Sequence, residues 1–265
     1  MIHQWQHLSA PELVELAGPD AVAVLTLGAI EQHGPHLPLS TDLDIACGLQ
    51  AAALARLNSD FDVIVLPPLA LGASEEHASF AGTLSLTAGQ MSDQIQQIGE
   101  GLYRAGLRRL VIVNAHGGNI GWLGQAALSL RRRFGLLVVK ANYMLFKAPA
   151  HLLGADELRH GLHGGQAETA MMLYLHPERV RTAQLRRFVS VAETLPQGAV
   201  LGPEAEASWA WLAEDLNPEG VVGDAAAATA ELGRLLIAHY ADRLARVISQ
   251  TAEMDLSRFE AQPTC

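Results

Sequence analysis

Apolar residues along the chain fall into short continuous runs separated by stretches of helical periodicity. AVAVLTLG (21–28) is rich in Val and Leu, as a strand covered on both faces is, FDVIVLPP (61–68) reads as a second buried strand, and the start of RRLVIVNAHGGN (108–119) and LLVVKANY (136–143) read as two more strands. Between the first two, Ile45, Leu49, Ala52, Ala53 and Leu57 recur at helical spacing. Thr87 with Gln90 forms a capping box that opens a long helix to about Ala105, and a further helix is expected from Ile120 to Arg133. Ser9-Ala-Pro-Glu12 has the same box form with Pro11 in the first turn, so the chain is expected to open with a short helix. The order β-α-β-α-β-α-β predicts an α/β fold, a three-layer αβα sandwich around a mainly parallel central sheet.

The C-terminal half is patterned less regularly. Residues 144–163 read as irregular, and GQAETAMMLYLH (165–176) reads as a helix stopped before Pro177. Pro196, Gly198, Gly202, Pro203, Pro218, Gly220 and Gly223 make 186–224 loop-rich, with one short helix around 205–213. Asp224 is expected to cap a long helix through about Ile248. With no internal repeat and no linker composition, residues 1–265 read as a single domain with room for a substantial core.

Composition narrows the function classes. A chain with 49% hydrophobic and 17% charged residues is globular, and a formal net charge of −10 argues against a nucleic-acid backbone as partner. No apolar run approaches the length of a membrane span, and the opening MIHQWQHLSAPEL lacks the basic and apolar regions of a secretory signal, so a cytoplasmic location is expected. Cys47 and Cys265 offer neither a disulfide framework nor zinc-finger spacing.

Candidate chemistry concentrates in LTLGAIEQHGPHLPLSTDLD (25–44). Glu31, His33 and Asp42 fall on one loop leaving a buried strand, stiffened by Pro35 and Pro38, and such oxygen and nitrogen donors suit a divalent metal. A polar surface loop is the plainer reading of Glu-x-His alone. In parallel α/β sheets ligands gather at the carboxyl ends of strands, and His116, within Asn114-Ala-His-Gly-Gly-Asn119, follows another strand end. Ser74, Glu75, Glu76 and His77 lie past the end of a third, on the same edge. His116 read alone is equally a backbone-bonded turn histidine. Gly117-Gly118 reads alternatively as an anion nest at a helix start, although neither the P-loop nor the dinucleotide glycine spacing is present. Glu168, early in its helix, is either a ligand or an acid favoured by the helix dipole. His163 is either an acid/base group or a surface histidine, and Gly164-Gly165 would let both residues face one cavity.

EQHGPHLPLSTD, GASEEHASFAGTLSL, NAHGGN and HGGQAETAMML, in this order and at these separations, resemble the creatininase (creatinine amidohydrolase) family, and GVVGDAAAATAELGRLLI (220–237) resembles its C-terminal helix entry. The resemblance implies a metal-dependent hydrolase with two divalent ions (zinc, manganese or iron), often assembled as a homo-oligomer, commonly a hexamer. Carried over motif by motif, Glu31 and His116 hold one ion, His33 and Glu168 the other, and Asp42 bridges them. His163 matches the family's acid/base histidine, and Ser74 a substrate-contacting serine beside Gly117 and Gly118. Two ions sharing a carboxylate lower the pKa of a water enough to supply hydroxide at neutral pH. The implied substrate is a small-molecule amide, cyclic or linear, cleaved at a non-peptide C–N bond. Formamide hydrolases acting on formylaminopyrimidine nucleotides and peptide-processing hydrolases rank behind. A metallophosphoesterase, with phosphate on Gly117-Gly118, and a non-catalytic metal-binding protein are the readings from other classes.

The chain departs from creatininase itself at two places. Creatininase has a carboxylate two residues after the histidine matching His116, where this chain has Gly118. It has a Trp-Asp pair shortly before the histidine matching His163, where this chain has Arg159-His160. No tryptophan lies between Trp122 and Trp209, so an aromatic wall for a creatinine ring is not expected.

Overall fold

The computed structural model describes residues 1–57, 60–149, 151–196 and 198–259; Cys265 lies outside them. The N-terminal part runs β1 (Ile2–Gln4), α1 (Ala10–Leu16), β2 (Val22–Leu27), α2 (Thr41–Leu54), β3 (Val63–Val65), α3 (Ala88–Arg104), β4 (Arg109–Asn114), α4 (Ile120–Phe134) and β5 (Leu137–Asn142). There follow α5 (Ala155–His160), α6 (Gln166–Leu175), β6 (Arg187–Phe188), β7 (Leu201–Gly202), β8 (Ala207–Ser208), α7 (Ala213–Leu216), β9 (Gly223–Asp224) and α8 (Ala230–Glu253). Strands β1 to β5 form one sheet in the order β1-β3-β2-β4-β5, and every neighbouring pair is parallel.

The apolar runs explain the layering. Along β2, Val22 and Val24 enter one core while Ala23, Leu25 and Leu27 enter the other; β4 divides Val111 and Val113 from Leu110 and Ile112 in the same way. The first core is closed by Ile45 and Leu49 of α2, Met171 of α6, and Leu236 and Leu244 of α8. The second is closed by Met91 and Ile95 of α3 and Leu123 and Leu130 of α4. Helices therefore cover both faces of a parallel sheet, as the alternating order requires. No helix among the described residues is long and apolar enough to cross a membrane.

Both N-terminal capping boxes are present: Glu12 closes back on Ser9, and Thr87 accepts from the Gln90 N–H. Four expectations need correction. The chain opens with strand β1, not a helix; three half-exposed residues carry no periodic signal, and pairing with β3 alone defines them. The C-terminal helix starts at Ala230, with Thr229 as its cap, because Asp224 is held in β9 against Arg187 and its N–H is taken by Glu157. The alanines after Asp224 form only a 3-10 turn, since nothing in their side chains distinguishes a turn from a helix. In place of a helix over 205–213 there are strand β8 and the later α7, and the stretch read as irregular contains α5.

Helices α6 and α8 cross at Gly233, where a Cβ would overlap the Ala170 carbonyl oxygen. Gly233→Ala is expected to destabilise the fold by about 1–3 kcal/mol in urea unfolding. The overlap outweighs the ~1 kcal/mol that alanine gains in helix propensity. A variant as stable as the parent would show that α8 does not seat this closely.

Candidate metal centre

Strands β2 and β4 lie side by side, in register from Val22–Arg109 to Leu27–Asn114, so their carboxyl ends release two loops at one place. The β2 loop carries Glu31 and His33. It folds back through the Glu31 N–H, which donates to the Leu39 carbonyl (3.0 Å), and the Thr41 hydroxyl, which donates to the Pro38 carbonyl (2.7 Å). Asp42 then falls in the first turn of α2.

Buried amides lock the neighbouring exits. Asn114 donates to the His116 carbonyl (2.8 Å) and to Asn142 Oδ1 (2.9 Å). Asn119 donates to Asn114 Oδ1 (3.1 Å) and the Gly28 carbonyl (3.2 Å), and its own oxygen accepts the Ala73 N–H (3.1 Å). The loops after β2, β3 and β4 are thus fixed to one another by a satisfied polar network. His163 and Glu168 arrive on the approach to α6, where the Gly164 N–H donates to Glu168 Oε2 (2.7 Å). His36 Nε2 donates to the Gly164 carbonyl (2.9 Å) and ties this segment to the first loop.

The side chains then converge. His116 Nδ1 lies 3.2 Å from both Glu31 Oε2 and Asp42 Oδ2. His33 Nε2 lies 3.3 Å from Asp42 Oδ1 and 3.9 Å from Glu168 Oε2. His163 Nδ1 lies 3.7 Å from Glu31 Oε1. Three groupings have ligand atoms close enough to share an ion: Glu31, Asp42 and His116; His33, Asp42 and Glu168; and Glu31, His33 and His163. Asp42 belongs to two of them.

Hydrogen-bond polarity shows what this cluster lacks. His33 Nδ1 donates to the Glu31 carbonyl (3.1 Å) and His116 Nε2 to the Ala73 carbonyl (2.9 Å), so each ring turns its lone pair toward carboxylates. Acceptors facing acceptors require a cation. Both Glu31 oxygens, Asp42 Oδ2 and His33 Nε2 are buried without a hydrogen-bond partner, a cost of several kcal/mol per ion unless something positive sits among them. The donor set of carboxylates and imidazoles with their outer nitrogens anchored fits divalent metal ions.

Protons are the cation of the metal-free chain. Burial opposes charge on His33, but Asp42, with Glu168 and Glu31, outweighs it and raises the imidazole to about 9. His116 is likewise raised, against burial, by Glu31 and Asp42. Burial pushes Glu168 up to about 7, with Asp42 and Glu31 adding to the shift and His33 opposing it. His163 moves the other way: burial and its neighbours His33 and His77 hold it well below the usual imidazole value, so the ring is neutral. Its Nε2 donates to the Gln32 carbonyl (2.9 Å), leaving the Nδ1 lone pair directed at the cluster.

All six expected ligand and acid/base residues meet here. Ser74 is fully buried with its hydroxyl 3.3 Å from His116 Nε2. Gly117 is exposed, whereas a Cβ on Gly118 would overlap Glu76 Oε1, the Ala73 carbonyl oxygen and His116 Nε2. The space beside Gly118 is filled by the carboxylate of Glu76, 3.5 Å from His116 Nε2. Arg159 is exposed and His160 half-buried on α5, and Trp122 is packed in the core. Two residues that contact the site, Gln32 and Tyr143, were not singled out from the sequence, and His77 was placed on this edge without a role. His77 stacks on His163 with ring centroids 4.3 Å apart and brings Nε2 to 3.4 Å from Glu31 Oε1. Gln32 bonds His77, and Tyr143, at the end of β5, reaches Glu168 with its hydroxyl. Position just past a strand end placed His77 and was the signal available for Tyr143.

The family model for creatininase (creatinine amidohydrolase) matches residues 6–248. The mycofactocin precursor peptide peptidase of Mycobacterium tuberculosis is 34% identical over 233 residues, covering 86% of this chain and 84% of that protein. The creatinine amidohydrolase of Pseudomonas putida is 32% identical over 185 residues, covering 62% and 68%. A crystal structure of creatinine amidohydrolase superposes with a TM-score of 0.77 at 24% identity, covering 95% of this chain and 98% of that one. Creatininases have been solved as a manganese form and as a Zn-Zn type, each 25% identical to this chain with TM-scores of 0.75 and 0.76. The chain belongs to the creatininase family of metal-dependent amidohydrolases.

Proposed function

We propose that this chain hydrolyses an amide-type C–N bond with two divalent ions, Glu31 and His116 holding one, His33 and Glu168 the other, and Asp42 bridging both. The observation that carries this reading is the pair of ligand groupings that share Asp42 and leave buried oxygens without partners. Bound there, the ions supply Lewis-acid polarisation of the amide carbonyl and a water acidified into the neutral range. His163 supplies the proton transfer. Its neutral ring faces the cluster through Nδ1, so it accepts the water's proton and returns it to the departing nitrogen as the C–N bond breaks. The buried carbonyl of Gln32 holds that tautomer.

The substrate in the first reading is a small amide, cyclic or linear. Creatinine itself is disfavoured, because Trp122 is in the core and Arg159-His160 stand in place of an aromatic-acid pair. A peptide is the second reading, favoured by the Mycobacterium tuberculosis relative, whose similarity extends over 86% of this chain. Amine release from small amides and short peptides, against phosphate release from an aryl phosphate, separates these readings. Turnover of the phosphate ester alone would end the amidohydrolase reading.

Asp42→Ala is expected to lose both ions together, whereas His116→Ala loses one, by plasma mass spectrometry of folded protein. A full metal complement in Asp42→Ala would rule out the bridge.

Metal uptake should also be proton-linked. His33 binds through a nitrogen that is protonated below about 9 in the metal-free chain, so an entering ion must displace that proton. Affinity therefore weakens as pH falls, and calorimetry in buffers of differing ionisation enthalpy should find more protons released at neutral pH than above about 9. Equal release at both would refute the linkage.

A further inference from the structure

Gln32 stands between two ligands in sequence but faces away from both. Its side-chain oxygen accepts the Gly34 N–H (2.9 Å), which fixes the amide's orientation because a backbone N–H can only donate. Its Nε2 must then donate, and it does so to the Gly220 carbonyl (2.6 Å) and to His77 Nδ1 (2.8 Å). An accepting Nδ1 places the proton of a neutral His77 on Nε2, the nitrogen 3.4 Å from Glu31 Oε1. Every step of this chain is set by a backbone group of fixed polarity at its far end. Its output is one N–H on the nitrogen that stands 3.4 Å from Glu31 Oε1, a dipole beside that oxygen and not a formed hydrogen bond, while the other oxygen, Oε2, faces His116 and Asp42's grouping.

We propose that Gln32 and His77 form a directional relay that keeps an N–H dipole beside Glu31 Oε1 and thereby favours Oε2 as the oxygen presented to the ion, making both of them positioning residues of the centre. The proposal rests on the reading of Glu31 as a metal ligand. It also gives the loop containing Gly220, remote in sequence, a part in setting metal affinity. His77 is placed outside the ligand set by the same argument, since its Nδ1 is occupied by the amide and its Nε2 carries the proton.

The test is a Zn2+ titration of metal-free protein in competition with a chromophoric chelator, on the parent, His77→Phe and His77→Gln. Loss of an outer-sphere partner commonly costs about 10- to 100-fold in metal affinity. His77→Phe, which fills the space without a donor, is expected to weaken one ion by that factor and leave the other within a few-fold. His77→Gln, whose amide nitrogen can donate toward Glu31, should recover most of the loss, which a purely space-filling role does not predict. Parent and His77→Phe binding Zn2+ equally would overturn the relay but not the metal reading; a parent that binds no Zn2+ would overturn both. If His77→Phe does not fold, nitrogen-15 spectra of the imidazoles decide. The parent should carry the His77 proton on Nε2, and Gln32→Leu should release it to a mixture of tautomers. A proton on Nδ1 in the parent would refute the relay.

Discussion

Carboxylates and imidazole lone pairs aimed at one another in the protein interior are the constraint on which the rest of this structure depends. Glu31, Asp42 and Glu168 converge with the unprotonated faces of His33 and His116, and burial makes each unneutralised charge cost several kcal/mol. Such a cluster persists only if its members cannot relax apart and if positive charge enters it. The sheet supplies the first condition: β2 and β4 are adjacent and in register, and Asn114, Asn119 and Asn142 bind the loop exits into a single unit. Protons on His33 and His116 supply the second in the metal-free chain, and divalent ions supply it more completely. The same arrangement therefore explains both why the fold tolerates the cluster and why the cluster suits a divalent metal.

Much of this was legible in the sequence because it depends on local pattern. Strands β2, β4 and β5 are continuous apolar runs, and α3 announces itself through the Thr87–Gln90 box. Once the element order implied a parallel sheet, the rule that ligands gather at carboxyl ends brought Glu31, His33, Asp42 and His116 to one edge without any contact being known. What was not legible depends on contacts between remote segments. Strand β1 exists because β3 accepts it as a neighbour, and three residues cannot carry a period. Helix α8 begins at Ala230 because Glu157 and Arg187 hold Asp224 in an extended pair, partners distant in sequence.

The same division runs through the site. Ligand residues come in tight motifs, since a loop of fixed length must deliver several donors to one point. The groups that orient them come from anywhere: His36 reaches Gly164, Tyr143 reaches Glu168, and Gln32 reaches Gly220. His77 was placed at this edge on position alone, with no role attached. Nothing short of the fold tells that its ring stacks on His163 and turns Nε2 to Glu31.

Gly118 illustrates how a motif read along the chain misses a group that another loop brings to the same place. Read along the motif, a carboxylate is missing two residues after His116. Read in space, Glu76 from the loop after β3 places Oε1 where a Cβ on Gly118 would stand, 3.5 Å from His116 Nε2. The glycine and the glutamate are therefore one feature: any side chain at residue 118 would have to expel Glu76 or push against the Ala73 carbonyl. The carboxyl group beside His116 hangs from the segment that also carries Ser74 and His77. Residues after β3 thus surround the outer face of His116, with the Ala73 carbonyl accepting its N–H and Ser74 and Glu76 flanking it. The outer face of His116 is therefore set by a neighbouring loop and not by its own.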